Sequence, residues 1–224
     1  MTPVITSASE KSRTDRAAAV QKQPGLVWDW PVRIFHWTLA LCFAGAWLSS
    51  ESESWKLWHV SFGYSMAVLI GFRLIWGVFG TRYARFTQFV KGPVAIKQYF
   101  KAILRGQPEH HTGHNPAGAL AILAILGTVI LTVASGYASY EELGGEWLGE
   151  LHETVASVLM GIVVIHIAAV ILMSLLHKEN LVRAMLTGKK RITRQEAIGS
   201  GWLSIALLLV CSVASVWWLM FIAP

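Results

Sequence analysis

Four histidines of this 224-residue chain, His36, His59, His152 and His166, lie in long apolar stretches where an imidazole meets little water. A polar or ionisable side chain in hydrocarbon is costly, and it marks a functional site whose partner has to be named. Two uses fit imidazole in such a place: hydrogen bonding to carbonyls across helices, and ligation of a metal. His152 and His166 sit in the run ELHETVASVLMGIVVIHIAAVILMSLLH, Glu150 to His177. Their fourteen-residue separation is about 21 Å along a helix and nearly four whole turns, so both leave the same face.

The elements that must position these side chains are membrane spans. The chain is 54% hydrophobic and only 14% charged, with a mean hydropathy of +0.49, outside the range of an ordinary soluble domain. Apolar stretches at about 31–50, 57–79, 116–138, 151–176 and 200–221 each approach or exceed the roughly 20 residues that cross a bilayer. The sequence therefore predicts an all-α integral membrane fold with no separate soluble domain. Residues 1–25 are polar, lack the apolar core of a cleavable signal, and read as a disordered tail.

The formal charge of +6 does not point to nucleic acid, because Lys and Arg cluster in loops beside the spans. The segment before the first span carries Lys11, Arg13, Arg16 and Lys22, with Arg33 at its edge; the second–third loop carries Arg82, Arg85, Lys91, Lys97, Lys101 and Arg105; the fourth–fifth loop carries Lys178, Arg183, Lys189, Lys190, Arg191 and Arg194. The opposite loops hold one lysine, Lys56, and the acids Glu51, Glu53, Glu141, Glu142, Glu146 and Glu150. The positive-inside rule places the N-terminus in the cytoplasm and the C-terminus outside, in the periplasm if the membrane is a bacterial inner membrane.

Orientation sorts the histidines by depth. His36 enters from the cytoplasmic side and His166 lies on the same side; His59 and His152 are both periplasmic. Each pair joins two different helices, so a flat ring can stand between them. Two imidazoles alone would leave zinc under-coordinated, whereas a haem brings four equatorial nitrogens and takes one or two axial ligands. Cys42 and Cys211 each fall inside a predicted span, and no CxxCH is present, so covalent c-type attachment and iron–sulfur ligation are excluded. The expected cofactors are two haems stacked across the bilayer.

Other features are secondary. Arg73, fourteen residues after His59, either snorkels to headgroups or pairs with a buried acid; Arg33 and Arg73 are candidates for haem propionates. Trp28, Trp30 and Trp37 suit an interfacial belt, and with Asp29, or the His114–Asn115 turn, could border a quinone. Gly63 and Gly71 offer small surfaces to a neighbour or a flat ring, and Gly118, Gly127 and Gly136 suit close packing. GPVAIKQYFKAILRG reads as a helix on the cytoplasmic surface. His110, His111 and His114 belong to a polar loop leading to a helix capped near Asn115, since no carboxylate or cysteine framework accompanies them. The last span has no charge or histidine and reads as peripheral, free to contact another subunit and form an oligomer.

VWDWPVRIFHW, FRLIWGVFGTRYARF, GHNP and the pair His152/His166 resemble the prokaryotic cytochrome b561 family, which includes the b-type cytochrome subunits of membrane-bound nickel-iron hydrogenases. The resemblance covers about residues 26–190. It implies a four-helix transmembrane bundle over 26–199 holding two b haems on His36, His59, His152 and His166, with 200–224 as an additional fifth helix. The expected function is transmembrane electron transfer between a periplasmic redox partner, a cytochrome c or a hydrogenase-like protein, and the quinone pool, as a carrier subunit in the respiratory chain. Two alternatives remain: a quinone-linked oxidoreductase acting on a small substrate such as superoxide, and a non-redox membrane anchor or metal transporter.

Overall fold

The computed structural model describes residues 22–106 and 111–223. Five helices are long and apolar enough to cross a membrane: α1 (Trp30–Ser49), α2 (Lys56–Phe79), α5 (Pro116–Tyr140), α6 (Trp147–Leu176) and α8 (Leu203–Phe221). Between them lie the short α3 (Phe86–Phe89), the surface helix α4 (Pro93–Leu104) and α7 (Leu181–Thr187). All five expected spans are present. Two begin on a side-chain cap with a proline in the first turn: Asn115, where a cap was expected, accepts from the Gly118 amide ahead of α5 and Pro116, and Asp29 accepts from the Val32 amide ahead of α1 and Pro31.

α1 packs beside α2, α2 beside α5 and α5 along α6, while α8 covers α1 and α2. Phe35, Leu39, Met66, Leu69, Val129 and Leu159 form the centre of the core. The α1–α2 contact is close because Gly45 has no Cβ, which would overlap the Phe62 ring. α6 is the exception to this close packing. It lies along α5 and meets α7, but among the described residues it makes no comparable backbone approach to α1 or α2, and of its thirty residues only Leu148 and Leu159 are buried.

The basic end is closed by a second apolar cluster that includes Val27, Trp28, Val32, Trp76, Ala184 and Ile192. A two-stranded antiparallel ribbon lies over it, β1 (Gln23–Leu26) against β2 (Lys189–Ile192). Two sequence expectations need correction here. Residues 23–25, assigned to the tail, are paired strand, because β2 offers them a partner that only the folded chain supplies; the rest of the expected tail, residues 1–21, falls outside the described residues. Trp28, expected at the interface, is 6% exposed under the ribbon. Gly188, at φ +77°, closes α7 and brings its carbonyl to the Val27 and Trp28 amides at 2.8 and 3.1 Å; a Cβ there would collide with the Trp28 carbonyl.

Candidate cofactor-binding site

His59 in the first turn of α2 and His152 near the start of α6 face each other with ring centroids 5.9 Å apart and planes at 83°. Each is oriented from behind. Nδ1 of His59 lies 2.8 Å from the Ala46 carbonyl of α1, and Nδ1 of His152 lies 2.9 Å from the Thr132 carbonyl of α5. A carbonyl only accepts, so both Nδ1 atoms carry the proton and both Nε2 atoms keep a lone pair for ligation. Gly136 makes room for this arrangement, since a Cβ there would stand 2.8 Å from two atoms of the His152 ring. Beside Gly63, one turn after His59, the space is open.

His36 and His166 lie toward the basic end, within electrostatic reach of each other. Nδ1 of His36 is buried without a hydrogen-bond partner. α6 carries His152 and His166, while His36 comes from α1 and His59 from α2.

The arginines separate. Arg33 donates to the Met185 carbonyl at 3.3 Å and to the Leu186 carbonyl, and stacks 4.0 Å over Trp30, so it ties α1 to the end of α7. Arg73 is 4% exposed, stacks 4.7 Å over Phe86, and leaves one buried guanidinium nitrogen, Nη1, without a partner. It feels the charge of Asp29, but among the described residues the two form no ion pair within 4 Å. Asp29, fully buried, instead accepts from the Val32 amide at 2.7 Å, Trp76 Nε1 at 3.0 Å and Thr81 Oγ1 at 2.6 Å.

His114 is the residue whose place the sequence did not reveal. Its ring lies 4.5 Å from Trp28 and 5.0 Å from Phe89, within electrostatic reach of Arg73, Lys190, His36 and His166. The loop carrying it is pinned by Lys190, which pairs with Glu179 at 3.1 Å and donates to the His111 and Thr112 carbonyls at 3.4 and 3.3 Å. Glu196 accepts from the Thr112 hydroxyl and from Thr193.

Burial, reinforced by the positive charges of Arg73 and Lys190, pushes the His114 pKa down to about 3; hydrogen bonds from Thr112 and then Thr193 hold Glu196 down at about 2. In both cases the unfolded chain binds protons more readily in acid, so stability rises with pH through the window between folded and unfolded values. His114's share is complete above its ordinary value near 6.5 and is lost as pH falls toward 3; that of Glu196 is complete above about 4.5 and lost toward 2. The thermal midpoint in detergent should fall between pH 7 and 4, and His114→Phe should flatten the upper part of that fall. A variant profile parallel to wild type would remove His114 from this role.

Two imidazoles on different helices, each with its tautomer fixed by a carbonyl, and a buried arginine with one unpartnered nitrogen stand inside a protein with five membrane-spanning helices. The chain belongs to the prokaryotic cytochrome b561 family, whose model matches residues 27–188. Among curated proteins, it is 30% identical over 61% of its length to a "Probable Ni/Fe-hydrogenase B-type cytochrome subunit" of Azotobacter chroococcum, covering 69% of that protein. It is 28% identical to a protein of Escherichia coli K12 named as the hydrogenase 1 counterpart, over 52% of this chain and 60% of that one. It is 24% identical to one of Rhizobium leguminosarum, over 80% and 93%. No solved structure matches significantly. The chain is thus a multi-span membrane cytochrome of b type, and haem b is the cofactor its family implies. The residues present fit that group: at the outer pair the rings are 5.9 Å apart, each Nδ1 is bound to a carbonyl so that each Nε2 keeps its lone pair, and the space beside Gly63 is open.

Proposed function

We propose that this chain carries electrons across a bacterial inner membrane through two b haems, one held by His36 and His166 and one by His59 and His152, between a periplasmic redox protein and the quinone pool. The observation that carries the reading is the neighbouring His59 and His152 rings on different helices, each with Nδ1 committed to a carbonyl and Nε2 left with its lone pair. A haem bound between two imidazoles supplies one-electron exchange without an open iron position.

The chain's own residues hold, insulate and bias that chemistry. The Ala46 and Thr132 carbonyls orient the outer ligands and raise their basicity. Arg73 answers the propionate charge of the inner haem with its unpartnered nitrogen, while Arg33 secures the α1–α7 junction. The basic end is cytoplasmic, and the quinone sits there, near His114 with its aromatic neighbours Trp28 and Phe89. At the other end Glu51, Glu53, Glu141, Glu142, Glu146 and Glu150 are all exposed, a rim suited to a basic face on a cytochrome c or hydrogenase-like partner.

Haem quantification and a reduced-minus-oxidised spectrum of the purified protein test this. Two b haems per chain with sharp low-spin bands are expected; one or none overturns the two-haem reading. In a redox titration Arg73→Gln should lower the potential of one haem and leave the other in place, because removing a buried cation disfavours the added electron.

A further inference from the structure

We propose that α4 is a binding surface for anionic phospholipid in the leaflet at the basic end of the bundle. The helix has three sectors. Tyr99, 1% exposed and flanked by the half-buried Ile96 and Ile103, faces the protein: its hydroxyl lies 3.9 Å from Met173 Sδ near the end of α6, and α4 packs on α5. This contact fixes the helix at the depth where a span ends. Phe100 and Leu104, four residues apart on a second stripe, are 46% and 88% exposed. Lys97, Lys101 and Arg105, again four apart, form an exposed basic stripe beside them.

Each stripe needs a different neighbour. At a span boundary, side chains as bare as Leu104 and Phe100 are covered by acyl chains, while three adjacent cations need phosphate or carboxylate oxygen. The protein supplies no such oxygen among the described residues of this end. Glu179 is paired with Lys190, Glu196 accepts from Thr112 and Thr193, and Asp29 is buried on Trp76 and Thr81. An anionic phospholipid presents both chemistries at the required spacing, with phosphate at the headgroup and hydrocarbon beneath. Strand β2 supplies a contrast: its exposed Lys189 and Arg191 alternate with buried Lys190 and Ile192, so its cations have no exposed apolar stripe beside them.

The full chain in mixed micelles of phosphatidylcholine and phosphatidylglycerol in equal amounts is passed through size exclusion, and retained lipid is counted by mass spectrometry. Phosphatidylglycerol should be retained over phosphatidylcholine, by about fivefold per basic side chain engaged, and the preference should fade at high salt. Lys97→Gln/Lys101→Gln/Arg105→Gln should remove the preference at unchanged helicity, and Leu104→Ser should weaken it. Lys97→Arg/Lys101→Arg/Arg105→Lys, and equally Lys189→Gln/Arg191→Gln/Arg194→Gln, should preserve it. Equal retention of both lipids by the wild type, as an acidic soluble protein as the true occupant would give, overturns the proposal. So does equal loss in the β2 variant. If the α4 triple variant fails to fold, the salt series on the wild type decides, with a salt-insensitive preference counting against the site. None of these readouts depends on haem, so the lipid surface and the electron-transfer reading fail independently.

Discussion

On the proposed pairing, alanine at His59 should remove one b haem and leave the other, and alanine at His152 should leave the same one. Alanine at His36 or at His166 should leave the complementary haem, so that the two residual reduced-minus-oxidised spectra add to that of the wild type. This follows from the pairing. Within each proposed pair the two imidazoles come from different helices, so removing either one would take away one of the two ligands that would hold that haem. The expected loss is about half the haem per chain for each single variant. Full haem content in any variant would refute that residue as an essential ligand. A residual spectrum shared by His36→Ala and His152→Ala would instead mean that the histidines pair differently. Loss of both haems tests pairing only when far-UV circular dichroism shows the helices intact.

Alanine at Asp29 should be the most damaging change away from the histidines. The carboxylate is fully buried and satisfies three donors from three places: the first turn of α1, the indole of Trp76 in α2 and the hydroxyl of Thr81 beyond it. Loss of an N-cap costs about 1 kcal/mol and each of the two further donors left unsatisfied about 1–3 kcal/mol, so roughly 3–7 kcal/mol is expected. Asp29→Asn keeps one accepting oxygen and should cost about half as much. Thermal unfolding in detergent measures both. A midpoint for Asp29→Ala within a degree or two of wild type would mean that the three donors find water or other acceptors. Arg73 gives the substitution a second readout, since the negative charge it senses from Asp29 would be gone.

The spans were legible because a bilayer imposes few solutions. A chain must cross as helices of about 20 apolar residues, basic loops report the side, and helix rise converts residue number into depth. Four histidines then sort into two pairs without coordinates, and the motifs around His36, Arg73 and His114 carry the family resemblance. The cap at Asn115 was similarly local, announced by a polar residue followed by proline.

What the sequence could not state are contacts made by backbone or by residues far apart in the chain. The carbonyls that fix the His59 and His152 tautomers belong to Ala46 and Thr132, and a carbonyl is common to every residue type, so no side chain advertises the role. Gly136 read as a packing residue, and only the fold shows the imidazole it admits. Arg33 and Arg73 looked alike as charges near a membrane edge; tertiary structure gave one the end of α7 and left the other with a buried, unpartnered nitrogen. Residues 23–25 and Trp28 likewise took their places from a strand more than 160 residues later. The sequence by itself determined the solvent, the number of crossings and the place of each histidine along its span, because those depend on local hydrophobicity and helix geometry. Which nitrogen keeps its lone pair, which arginine is left free and what closes the basic end were decided by the tertiary structure, because each depends on groups brought together only when the helices pack.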